Sequence, residues 1–131
     1  FWRPAEPLTA AREHRFDYRL HWSDQPPDQV PLARVAATRG GASVNAPERR
    51  SIVVDFALAE EQSLDDLEPR VSASAGEITH VSLIQLPDET EARVAIGFDP
   101  GDVDLAELRL ALVDPKGRTA SEVWLARWTR R

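Results

Sequence analysis

Four tryptophans, a few dense groups of carboxylates and three histidines are the side chains here whose types could do chemistry. The flat indole faces of Trp2, Trp22, Trp124 and Trp128 are what a pyranose ring stacks on, so an exposed coplanar pair would make a sugar-binding platform. Against this, Trp22, Trp124 and Trp128 sit at the apolar parity of alternating segments, where an indole fills a core. Trp2 lies outside any regular pattern and reads as packing against another domain. A glycosidase needs two carboxylates about 5–10 Å apart across a groove. Asp65 with Asp66, and Asp99 with Asp102 and Asp104, are the dense groups. The first two are neighbours on a short exposed segment, and the other three decorate a Pro-Gly turn, so solvated surface charge is expected for both. The Asp99 group also lacks the spacing and final glutamate of a calcium loop.

Other signatures are missing. His14, His21 and His80 have no metal-ligand spacing. Arg39-Gly40-Gly41 reads as a turn without the lysine and hydroxyl of a phosphate loop, and no Gly-x-Ser-x-Gly elbow occurs. The chain has no cysteine, which removes disulfides, thiolate ligands and thiol nucleophiles. Catalysis by this chain alone is therefore not expected, nor is a metal or a cofactor.

The elements that must position these residues are strands. With 131 residues, 42% hydrophobic and 29% charged, the chain suits one domain with a core of its own. A net charge of −6 argues against nucleic acid or an anionic membrane as main partner. No apolar run approaches the ~20 residues of a membrane-spanning helix, so membrane insertion is not expected. The absence of methionine and the opening Phe1-Trp2-Arg3-Pro4 read as a fragment, a processed product or an excised domain.

Alternation of period two dominates. Residues 16–22 place Phe16, Tyr18, Leu20 and Trp22 on one side and Asp17, Arg19 and His21 on the other. Residues 51–57 align Ile52, Val54 and Phe56; residues 92–98 align Val94, Ile96 and Phe98; residues 105–113 align Leu108, Leu110 and Leu112. Less regular strands are expected at 33–38, 70–74, 78–86 and 121–128. Between the runs sit turn sequences such as Asp24-Gln25-Pro26-Pro27-Asp28, Ala75-Gly76-Glu77, Pro87-Asp88-Glu89, Asp99-Pro100-Gly101-Asp102 and Asp114-Pro115-Lys116-Gly117. Helix is confined to a turn or two at 59–67, ended by Pro69. Seven or eight short strands punctuated this way predict an antiparallel β-sandwich or barrel over 16–131. Residues 1–15, proline-rich and without pattern, read as a linker or docking segment.

One strand is apolar on both sides: Trp124 and Trp128 alternate with Val123 and Leu125. That is the pattern of a strand buried on two faces, and in a two-layer sandwich the outer face needs a cover. A neighbouring domain is the simplest one.

Read in order, several blocks resemble a known family. They are Phe1-Trp2-Arg3-Pro4-Ala5-Glu6-Pro7-Leu8, Phe16-Asp17-Tyr18-Arg19-Leu20-His21-Trp22, Leu32-Ala33-Arg34-Val35-Ala36-Ala37-Thr38-Arg39, Arg50-Ser51-Ile52-Val53-Val54-Asp55-Phe56, Val71-Ser72-Ala73-Ser74-Ala75-Gly76-Glu77-Ile78 and Ser121-Glu122-Val123-Trp124-Leu125-Ala126-Arg127-Trp128. The set is similar to the C-terminal region of the periplasmic glucan biosynthesis proteins G and D, the MdoG/OpgG family. The resemblance implies a parent with a large N-terminal β-sandwich carrying a glucan groove and a smaller immunoglobulin-like C-terminal sandwich. It implies export to the periplasm and a role in making osmoregulated glucans with a β-1,2-linked backbone. Some members are similar to β-1,2-glucan hydrolases, whose paired acids lie in the large domain and map to no position here. The expectation is a non-catalytic immunoglobulin-like sandwich that packs on the large domain. The alternative is a module that binds β-glucan on exposed tryptophans. Trp2, Trp22, Val123, Trp124, Leu125 and Trp128 are the candidate docking or glucan contacts.

Overall fold

In the computed structural model, which describes residues 4–22, 31–87 and 90–130, seven strands form two antiparallel sheets. They are β1 (Arg34–Ala42), β2 (Arg50–Ala57), β3 (Glu68–Ala73), β4 (Glu77–Gln85), β5 (Glu91–Asp99), β6 (Leu105–Val113) and β7 (Trp124–Thr129). A 3₁₀ turn, Leu64–Asp66, stands where one or two helical turns were expected. The sheets run β1-β2-β5-β4 and β3-β6-β7. Lettered A to G in chain order they read ABED and CFG, the strand order of constant-type immunoglobulin domains.

The alternation explains the core. On β2 and β5, Val54, Phe56, Val94, Ile96 and Phe98 point inward and are buried. They meet Leu108, Leu110 and Leu112 of β6 and the indole of Trp124 on β7. The register pairs like with like: Val54 lies opposite Val94, Ile52 opposite Ile96, and Leu110 opposite Trp124.

A bulge corrects the parity of β1. Val35 pairs with Phe56 but Ala37 with Asp55, so Ala36 is the extra residue. Beyond it, Thr38 rather than Ala37 faces Val54 and the core. The Trp124 Nε1–H donates to Thr38 Oγ1 at 2.9 Å, a bond from one sheet to the other. Replacing Trp124 by phenylalanine removes that bond and part of the ring, and should cost about 1–2 kcal/mol in urea denaturation. A cost below the error of the fit would mean that the bond does not hold the sheets in register.

The chain enters the sandwich at Ala33, which is pinned to the second sheet before β1 joins the first. Its N–H donates to the Ala120 carbonyl (3.0 Å) and its own carbonyl accepts from Glu122 N–H (2.7 Å). Glu122 Oε2 in turn accepts from Val35 N–H at 2.9 Å. Ser121, buried beside this crossing, accepts from Leu112 N–H and donates to the Glu122 carbonyl.

Two expectations fail. Residues 16–22, the most regular alternation in the chain, form no strand, so among the described residues neither sheet takes a strand from this segment. Arg39-Gly40-Gly41 is not a turn but the continuation of β1, with Gly40 opposite Ile52 and Gly41 opposite Ser51. The reversal comes later, at 43–49, closed by Ser43 N–H donating to the Arg49 carbonyl. The glycines misled because neither residue has positive φ; the glycines that do are Gly76, Gly101 and Gly117. At Gly76 (φ 77°) the turn has no substitute, since a Cβ would lie 2.7 Å from the Asp99 carbonyl and from the Phe98 ring. The segment 24–28 lies outside the described residues, as do Asp88 and Glu89.

Candidate functional site

The structure separates the tryptophans that sequence parity had grouped. Trp124 is buried and its indole nitrogen is engaged by Thr38, so it offers no face to a ligand. Trp22, placed at core parity from the sequence, is 92% exposed. The alternation that suggested a core position is real, but the segment carrying it joins neither sheet. Trp2 lies outside the described residues.

Trp128 is half-buried and borders a cleft of about 740 Å³ between the end of β1 and the end of β7. Gly40, Arg50, Ile52, Asp99, Asp102 and Arg130 are among its walls. The indole already has two neighbours. Phe98 meets it edge-on at 5.9 Å and 72°, and the Arg130 guanidinium lies 5.8 Å from its centroid. Arg130 is itself tied down, donating to the carbonyls of Gly101 (2.6 Å) and Val103 (3.0 Å) and pairing with Asp104 (3.3 Å). A sugar stacking on Trp128 through the Arg130 side would have to displace that arginine.

The acidic groups are drawn to separate partners. Asp99 accepts from Gly101 N–H at 2.9 Å and from Arg49 at 3.0 Å. The Gly101 amide, opposed by burial and aided by Arg49, holds the Asp99 carboxyl below its usual range. Asp104 turns to Arg130. Asp65 and Asp66 sit exposed on the 3₁₀ turn. Among the described residues no group of three His, Cys, Asp or Glu side chains is placed to hold a metal ion. A general acid needs a carboxyl pushed up toward neutral pH. Among the described residues, the carboxyls that this fold shifts, Asp55, Asp99 and Asp114, all move down. These three carboxyls are ionised at neutral pH.

One charged centre was missed from the sequence. Asp55 points from the outer face of β2 and is only 4% exposed, held between two arginines. Arg93, directly opposite on β5, donates through Nε to Oδ1 (2.7 Å) and through a terminal nitrogen to Oδ2 (3.0 Å). Arg39 of β1 donates to Oδ2 at 2.7 Å. Arg93's bonds, opposed by burial and aided by Arg39, keep the carboxyl below its usual value. The signal was available: one aspartate inside Ile52-Val53-Val54-Asp55-Phe56, with arginine in the neighbouring strands.

The two-sided apolar strand resolves into a core side and an open side. Trp124 and Trp128 face in, while Val123 (42% exposed) and Leu125 (70%) face out from the three-stranded sheet. Leu125 lies opposite Arg109 on β6, beside the Glu107–Arg127 pair, bonded at 2.8 Å. Leu105, also exposed, lies opposite Thr129 at the far end of β6, beyond that charged pair. This sheet face mixes exposed apolar side chains with paired charged ones. Among the described residues no helix is long and apolar enough to cross a membrane.

Residues 1–128 match the family model described as "Periplasmic glucan biosynthesis protein, MdoG". The chain is 39% identical over 132 residues to glucans biosynthesis protein G of Vibrio cholerae, covering 98% of this chain and 24% of that protein. It is 35% identical to the protein of the same name from Shewanella baltica (98% and 24%) and 34% identical to that of Shewanella frigidimarina (98% and 23%). The chain thus spans about a quarter of the length of these relatives. It belongs to the MdoG family of periplasmic glucan biosynthesis proteins.

Proposed function

We propose that this chain is the immunoglobulin-like C-terminal domain of a periplasmic protein required for osmoregulated glucan synthesis, and that it supports the large glucan-binding domain without catalysing a step itself. The substrate of the parent is a glucan with a β-1,2-linked backbone, and the periplasm is where it works. One observation carries the reading: the outer face of β6 and β7 leaves Val123, Leu125 and Leu105 exposed on a chain a quarter as long as its relatives. Exposed apolar strips of this kind mark contact surfaces.

The test is a pair of substitutions, Val123→Asp and Leu125→Asp, made together in the isolated chain and in the full-length parent. Both positions are exposed, so the isolated chain should lose at most about 1 kcal/mol. The wild-type parent should melt in one joint calorimetric transition and the variant in two. Two transitions already in the wild type would overturn the docking role.

The second reading is a glucan-binding module, favoured by Trp128 on the cleft between β1 and β7. It requires Arg130 to leave the indole when sugar binds.

A further inference from the structure

The segment 16–22 has the strongest strand pattern in the chain and no place in either sheet. Tyr18 is 80% exposed, Trp22 92%, and Phe16 and Leu20 at least half. Asp17, Arg19 and His21 occupy the opposite parity. A strand with one apolar face is built to lie over a core and beside another strand. Among the described residues, the two sheets already hold the seven strands of their class, and the core cluster runs from Ala33 onward.

We infer that residues 16–22 are a β-strand of the parent's large domain, added to the edge of one of that domain's sheets. The boundary between the domains then lies within 23–32 instead of at residue 15. The inference rests on the docking reading above and goes further by naming the element that makes the contact. Three observations carry it. The family match begins at residue 1, so the segment belongs to the family's own pattern, yet about three quarters of the relatives' length lies outside this chain. Ala33 is pinned by backbone bonds to Ala120 and Glu122, and the ten residues 23–32 can span at most about 36 Å. Val123 follows directly on Glu122, so the chain joins the sandwich at the edge that carries the exposed apolar strip. Strand and strip therefore address the same neighbour, the strand through backbone bonds and one apolar row, the strip through side chains.

Hydrogen exchange of the amides of residues 17–22, in the isolated chain and in the full-length parent, tests this. The expected result is exchange near the free-peptide rate in the isolated chain and at least 100-fold protection in the parent. Protection already in the isolated chain would overturn it, making the segment an eighth strand of this sandwich. A parent that melts in one transition with 17–22 unprotected would overturn the strand assignment while leaving the docking face standing. Two transitions and no protection would overturn both. Leu20→Asp supplies a second readout: melting of the isolated chain unchanged, with the parent's joint transition lowered or split. A joint transition unchanged by the substitution would count against the strand.

Discussion

Truncating Phe98 to alanine is expected to cost about 3–5 kcal/mol. The ring is fully buried, meets Trp128 edge-on at 5.9 Å, and lies against the turn at Gly76. Its neighbours cannot close the gap. The Gly76 backbone is fixed in a left-handed turn, and Trp128 is held from the other side by Arg130. The cavity therefore stays open, which puts the cost toward the upper end for an aromatic deletion. Domains of this size have about 5–15 kcal/mol in all, so the variant should show a far lower urea midpoint at an unchanged slope. A loss under about 1.5 kcal/mol would mean that the β-sandwich core packs differently around β5.

The second large effect is expected at Asp55. Asp55→Ala removes three charge-assisted hydrogen bonds and leaves Arg39 and Arg93 side by side on one sheet face. Bonds of this kind are worth about 1.5–3 kcal/mol each when buried. Here the arginines reach solvent, which screens the loss, so about 2 kcal/mol is expected at pH 7. The pH dependence gives the sharper test. The carboxyl's pKa is lowered in the folded state, so the unfolded chain binds its proton first as pH falls. Its stabilisation is complete above the unfolded value near 3.8 and disappears as pH drops through the lower folded one. The gap between wild type and Asp55→Ala should close over that interval. A gap constant from pH 7 to about pH 2 would show that packing, not the ion pairs, accounts for it.

The strands that run through the core were readable because burial on one face leaves an alternating record. β5 follows it residue for residue, and β2 and β6 through Val54, Phe56, Leu108, Leu110 and Leu112, while Ala111 and Val113 are buried at the opposite parity. Three features escaped for physical reasons. Alternation in residues 16–22 reports a strand but not which sheet owns it, and the same pattern serves a strand in this sandwich or in a neighbour. Gly40-Gly41 suggested a turn because glycine permits one, although nothing in the sequence shows which sign of φ it adopts. Asp55 sits at outward parity, where solvent is expected. Its burial depends on two arginines from other strands, and only the register brings them together. Of the candidate contacts, Val123 and Leu125 were legible as a second apolar face. Trp124 and Trp128 shared their parity, and only coordinates distinguish the indole sealed by Thr38 from the one bordering a cleft.

The most direct test of a supporting rather than sugar-binding role is a titration of the folded chain with linear β-1,2-glucan, following backbone amide and indole N–H signals by NMR. For a supporting domain, the indole signals of Trp22, Trp124 and Trp128 are expected to stay in place at millimolar glucan. A saturable shift at Trp128, with perturbed signals from Arg130 and the Gly40–Gly41 end of β1, would contradict that role. Such an outcome would make the cleft between β1 and β7 a glucan site.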